Sequence, residues 1–145
     1  MLKYFALIFL ICLVSCNKIE THQTLNQDDL NFIKGLKLLD EKETVYKFYS
    51  EDTKKTAGNF FTNKRVATYW IDKRNSKNNK LDFAFYKDII KIDTGKIAGA
   101  TYCPYALITK RDHTKFEVSV DGSRQEKKSF FEGLLYQWKR NAKTK

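Results

Sequence analysis

The chain has 145 residues, 27 of them Lys or Arg and 17 Asp or Glu, giving a formal charge of +10. With 42% hydrophobic and 14% aromatic residues and a single proline, its composition is globular, neither disordered, collagen-like nor disulfide-dense. The length allows one domain with one core, which excludes a multidomain enzyme and a polytopic membrane protein.

Lys3 is followed by an uninterrupted apolar run over residues 4–14, 11 residues long, then by Ser15 and Cys16. One positive charge, a short apolar run and a small residue make a secretory signal. The run is shorter than the roughly 18 apolar residues that a bilayer crossing needs. Leu13-Val14-Ser15-Cys16 resembles the lipobox of bacterial lipoproteins. That resemblance implies a cut before Cys16, lipidation of its thiol and acylation of the new amine. Residues 1–15 are then the signal peptide, and 16–27 the lipidated Cys and a polar tether. The same residues left uncut would be a plain N-terminal anchor. Either way the protein is expected on the extracytoplasmic side of a bacterial membrane. Asn17 is not the Asp that retains some lipoproteins at an inner membrane, which points to an outer membrane in a two-membrane host. Of the three cysteines, Cys12 leaves with the signal, Cys16 carries lipid, and Cys103 has no disulfide partner and reads as a small core residue beside Pro104.

Residues 17–27 are mostly polar, hold His22 and show no periodicity, as a tether would. Over 28–39, Leu30, Phe32, Ile33, Leu36 and Leu39 recur at helical spacing, with Asn26 or Asp28 as the cap. From 44 the period becomes two. Strands are predicted over 44–50, 59–62 and 66–71, the last two joined by Asn63-Lys64-Arg65. Residues 72–80 form a charged loop with nothing to bury. Leu81, Phe83 and Phe85 then alternate on one strand face, and 89–92 continues that strand or starts the next. Gly95 and Gly99 bracket a turn. Pro104 interrupts a strand over 102–109 and demotes its start to an edge or bulge. Residues 111–114 make a hairpin turn, in which His113 tolerates an unusual backbone angle, and 116–120 alternates cleanly. From Arg124 to about Arg140, Phe130, Phe131, Leu134, Leu135 and Trp138 share one helical face, with Trp138 expected to plug the barrel mouth. A basic tail follows.

The order is one short helix, about seven short strands and a long amphipathic helix, which is mainly β and indicates an antiparallel sandwich or barrel. Asn59-Phe-Phe-Thr-Asn-Lys-Arg-Val66, the stretch 81–92, the hairpin 106–116 and Phe130-Phe-Glu-Gly-Leu-Leu-Tyr-Gln-Trp138 resemble the pleckstrin-homology superfold in its bacterial, GRAM-like versions. The resemblance covers about residues 38–140. It implies a partly open antiparallel barrel capped by the C-terminal helix, within a domain over 28–141 and ahead of a tail at 142–145. It also implies binding rather than catalysis, because members of that superfold mostly bind lipids, peptides or proteins. Phosphoinositide-binding members carry basic residues flanking the first loop. Here Lys47, Lys54 and Lys55 supply the first part, residues 59–62 supply none, and Lys64 and Arg65 come later in the turn.

Little in the sequence supports an enzyme. His22 and His113 lack metal-ligand spacing, no Gly-x-Ser-x-Gly elbow or Gly-rich phosphate loop occurs, and no metal or cofactor is expected. Asp28-Asp29 and Glu41/Glu43 read as solvated helix-end charges. Positive charge is concentrated from Phe61 onward, with 19 basic and 9 acidic residues. Export argues against nucleic acid as a partner. Lys54, Lys55, Lys64 and Arg65 are the candidate contacts with an anionic membrane surface, as one patch or as two where their connections lie at opposite ends of the barrel, and Lys139, Arg140, Lys143 and Lys145 are the reserve. The function expected is a membrane-anchored, noncatalytic module that binds a protein or a peptide added to a strand edge. An immunity or inhibitor lipoprotein acting on a toxin or wall enzyme is the alternative, and a small hydrolase a third reading.

Overall fold

A computed structural model describes residues 18–97, 101, 102 and 104–142. The signal segment, Cys12, Cys16, Gly99, Cys103, Lys143 and Lys145 lie outside the described residues. No helix among the described residues is long and apolar enough to cross a membrane.

Helix α1 spans Gln27–Gly35. Asn26 caps it by accepting from the Asp29 backbone N–H at 2.8 Å, and Asp28, Asp29 and Lys34 complement the helix dipole. The helix stops before Leu39 because Lys37 takes a left-handed conformation, φ 61°. The Leu38 N–H then reaches back to Ile33 O at 3.3 Å and Lys37 N–H to Lys34 O at 2.8 Å, the paired bonds of a Schellman turn. Leu38 and Leu39 are still buried, but from an irregular segment.

Four strands follow as an antiparallel meander, β1 (Val45–Tyr49), β2 (Ala57–Thr62), β3 (Arg65–Trp70) and β4 (Lys80–Phe85), in the order β1-β2-β3-β4. A second sheet has the order β5-β8-β9, from Ile89–Asp93, Tyr105–Lys110 and Lys115–Ser119. Between them β6 (Lys96–Ile97) and β7 (Thr101–Tyr102) form a small ladder of their own. Pro104 separates β7 from β8, and His113 in the β8–β9 turn has φ 67°, both as the sequence suggested. Helix α2 (Arg124–Ala142) is the last described element. Its start is a capping box: Ser123 Oγ accepts from the Glu126 N–H, and Glu126 Oε2 accepts from the Ser123 N–H at 2.7 Å.

Two hydrophobic clusters share the first sheet, where length alone suggested a single core. Alternate residues of β1–β3, among them Tyr49, Phe61 and Val66, face the second sheet and α2. Phe130, Phe131 and Leu134 plug this inner core, whereas Trp138 is half-buried and donates from Nε1 to Ile89 O at 3.3 Å. The helix covers the barrel as expected, but the three residues nearer its start do the sealing. The opposite side chains, Phe48, Phe60, Ala67 and Tyr69, face outward and are covered by Leu25, Leu30, Ile33 and Leu38 from α1 and its flanks. Every position of β2 is buried because both of its faces are covered.

Residues 18–27 do not act as a free tether throughout. Glu20 exchanges two backbone bonds of 2.8 Å with Phe48, His22 N–H donates to Val45 O at 3.0 Å, and Leu25 is buried. The segment lies along the open edge of β1, where unpaired backbone groups give even a polar segment partners.

The barrel has two distinguishable ends. At the loop end, the β1–β2 and β3–β4 loops meet through Ile71 N–H and Thr56 O at 2.7 Å. The start of α2 joins them there through Tyr49 Oη, which donates to Asp121 O at 2.8 Å, and Lys18 N–H, which donates to Glu126 Oε1 at 2.7 Å. At the turn end lie the β2–β3 and β8–β9 turns, tied to the β4–β5 connection by Tyr86 N–H to Lys64 O and Arg111 N–H to Asp88 O.

Candidate binding edge

The sequence places Leu81, Phe83 and Phe85 on one face of β4, and the fold puts that face outside. Ala84, between them, points into the barrel and is buried. Helix α1 covers the outer face over β1–β3 but leaves β4 bare, so Leu81 and Phe83 are each 38% exposed. Among the described residues strand β4 is also the sheet's edge, paired with β3 alone. Its other side carries backbone donors and acceptors that an added strand can use.

The bare face is stiffened from beneath by Arg65. Its guanidinium carbon lies 5.0 Å from the Phe83 ring centroid and 4.7 Å from that of Phe85, and the two rings meet edge to face at 5.5 Å. Arg65 grips Glu43 with Nε to Oε1 at 2.9 Å and Nη2 to Oε2 at 2.8 Å, and Nη2 also reaches Asp40 Oδ2 at 2.9 Å. Glu43 accepts further bonds from Thr62 Oγ1 at 2.5 Å and Asp40 N–H at 3.0 Å. Both charges are thus paired inside the protein with most of their hydrogen-bonding capacity used.

Beside β4, toward the turn end, a cleft of about 290 Å³ opens between Phe83 and Phe85 on one wall and Lys110, Arg111 and Asp112 on the other. Lys110 Nζ stands 3.9 Å from Asp82 and 5.7 Å over the Phe116 ring, and Arg111 Nη2 donates to Lys87 O at 2.8 Å. Hydrogen bonds from the Thr114 side chain and backbone hold the Asp112 carboxyl below its usual range, so it stays anionic. The arrangement offers strand pairing, apolar contact at alternate positions and a charged flank. Among the described residues, no group of three His, Cys, Asp or Glu side chains could hold a metal ion.

The four cations predicted to meet a membrane do not form one patch. Lys54 and Lys55 lie at the loop end, Lys64 and Arg65 at the turn end. Lys54 Nζ is 2.7 Å from Glu20 and 3.1 Å from Asp29. Burial pulls its ammonium down, but the bonds to Glu20 and Asp29 outweigh this and hold it above the usual lysine range. Lys55 donates to Asp28 O at 2.7 Å and lies 4.9 Å over the Phe32 ring. Lys64 remains exposed, 3.8 Å from Asp40. Arg65 is 2% exposed and lacks the surface access that membrane contact needs. Asp29 and Glu43, which read as solvated, are both buried because each neutralises a cation that pins neighbouring elements together. The cationic side chains of the β3–β4 loop, Lys73, Arg74 and Lys77, have no carboxylate in ion-pair reach among the described residues, and the sequence shows them only as part of a charged loop. Nothing in one sequence separates a paired lysine from an unpaired one.

No family model matches the chain, and no curated protein matches it in sequence. Among solved structures it is similar to a DUF1696 family protein with a pleckstrin-homology domain from Shewanella loihica PV-4. The likeness covers 87% of this chain and 98% of that one, at 14% identity and a TM-score of 0.52. At that identity the likeness establishes fold alone. Two antiparallel sheets capped by a C-terminal helix make a pleckstrin-homology-like, partly open barrel.

Proposed function

We propose that this pleckstrin-homology-like domain is a noncatalytic binding module, held by acyl chains on Cys16 at the extracytoplasmic face of a bacterial membrane, and that it takes a protein segment as an added strand on β4. The anchor rests on the apolar run 4–14 ending at Ser15-Cys16. The observation that carries the binding mode is the edge itself: among the described residues β4 is paired on one side only, with Leu81 and Phe83 exposed and Phe83 lining the cleft. An exposed edge with apolar side chains is an aggregation hazard unless it is normally covered. A partner segment with apolar residues at alternate positions fits it, since every second side chain falls on the Phe83 face.

The test compares the lipidated full chain with Leu81→Lys and Phe83→Glu, each pulled down from detergent-solubilised membranes of its own host. The wild type is expected to retain a stoichiometric partner that both variants lose while remaining folded, Phe83→Glu with a midpoint lowered by its lost contacts with Arg65 and Phe85. Equal recovery by all three proteins would exclude the β4 edge. A toxin or wall enzyme as that partner would assign the protein to the immunity class.

A further inference from the structure

Lys18 stands two residues after Cys16 in the sequence. Lys18 is already fixed by its N–H bond to Glu126, Ile19 packs against the inner core, and Glu20 is paired to β1. Two residues reach at most ~7 Å in any conformation, less than about one Debye length at physiological ionic strength. A chain acylated at Cys16 therefore has no slack with which to hold the loop end away from lipid headgroups. This consequence rests on the lipoprotein reading above.

What the loop end presents there is the β3–β4 loop. The Asp72 carboxylate accepts from Asn78 Nδ2 and the Arg74 N–H, both at 2.8 Å, and from Asn75 N–H at 3.2 Å, while Asp72 N–H donates to Asn79 Oδ1 at 2.9 Å. The bond from Asn78 and the two backbone bonds hold that carboxyl below its usual range. The loop is thus internally braced, and its one carboxylate is occupied by neutral donors. Lys73, Arg74 and Lys77 have no ion-pair partner among the described residues, in contrast to Lys54, Lys55 and Arg65. Trp70, which enters the loop, is 47% exposed and borders a shallow depression with Asp52, Lys73 and Arg74. It lies about three strand spacings, ~15 Å, across the sheet from the Glu20–Phe48 bridge, at the same end of the barrel. An exposed indole beside unpaired cations suits the headgroup layer of an anionic bilayer.

We infer that the anchored domain rests with its β3–β4 loop on anionic phospholipid, with Trp70 at the interface and Lys73, Arg74 and Lys77 against phosphates. The turn end, with the cleft beside β4, then faces away from the membrane and is open to a partner.

The experiment uses the full chain, acylated in a bacterial host and reconstituted into vesicles of phosphatidylcholine and phosphatidylglycerol, about three to one. The variant Trp138→Phe leaves Trp70 as the one tryptophan, and its fluorescence is read against aqueous acrylamide and against brominated lipid. Expected are loss of acrylamide access and quenching by brominated lipid. Both should reverse in Lys73→Gln/Arg74→Gln/Lys77→Gln and weaken as salt rises. An acylated protein whose Trp70 is as open to acrylamide on vesicles as in detergent overturns the orientation alone. A mass spectrum without acyl chains on Cys16 overturns the lipoprotein reading and, with it, this inference.

Discussion

Removing Glu43 tests whether Arg65 is a structural cation or a surface one. Glu43→Gln keeps the shape but removes the charge that two guanidinium nitrogens grip at 2.8 and 2.9 Å. Breaking a buried pair by deleting one partner costs about 3–5 kcal/mol, because the other charge is left desolvated. Here Asp40 stays 2.9 Å from Nη2, and it is exposed enough for water to screen it. The rings of Phe83 and Phe85 also keep some hold on the guanidinium, each such contact worth ~0.5–2 kcal/mol. The expected loss is therefore about 3 kcal/mol, the low end of the range, read as a shift in urea midpoint at constant slope. In Glu43→Leu/Arg65→Met, both charges go and the apolar volume stays. That variant is expected to recover most of the loss, with a coupling energy of about 2 kcal/mol or more. A cost below about 1 kcal/mol for Glu43→Gln, or additivity in the cycle, would refute the reasoning. Arg65 would then be free for a surface role.

Three further outcomes follow from the packing. Phe131→Ala, within the sealed inner core, should cost about 3–5 kcal/mol, and Trp138→Ala, half-buried, distinctly less; equal midpoint shifts in thermal unfolding would contradict the assignment of the plug. Ser123→Ala should lower stability by about 1 kcal/mol through loss of the capping box at α2, measured by chemical denaturation, and a neutral result would deny the cap. Burial pushes the Glu126 carboxyl up, but bonds from Ser123 and Lys18 outweigh it and leave the group below its usual 4.5. Its contribution is therefore fully present above pH 4.5 and lost as pH falls through the folded value. Glu126→Gln should lower stability above pH 4.5 and remove this group's share of the fall below it, as read from urea midpoints across pH.

Local signals were legible where one residue or one period decides the outcome. Pro104 interrupts its strand, His113 occupies a left-handed turn, and the Phe130–Phe131–Leu134 face of α2 covers the barrel, all as read from the chain. Ser123-Arg-Gln-Glu126 is a capping-box pattern, so the start of α2 was legible in the sequence as well. Long-range pairing was not legible. Lys54 finds Glu20 across 34 positions and Arg65 finds Glu43 across 22, so Lys54, Lys55, Lys64 and Arg65 looked like four equivalent surface charges. Alternation put Leu81, Phe83 and Phe85 on one face without saying which side of the sheet it was. That depends on how far across the sheet α1 reaches, and Lys37 ends the helix before it covers β4. The docking of residues 18–25 rests on backbone bonds to the edge of β1, which carry no side-chain signature.

Strand β4 is proposed to receive a partner strand. The most direct measurement places a photo-crosslinking phenylalanine analogue at Phe83, or at Tyr136 on the exposed face of α2, in the anchored full chain within its own membrane. Irradiation should give one discrete adduct from position 83 and none from position 136. Adding Leu81→Lys should remove the adduct from position 83. An adduct confined to position 136, or one from position 83 that survives Leu81→Lys, would contradict the account.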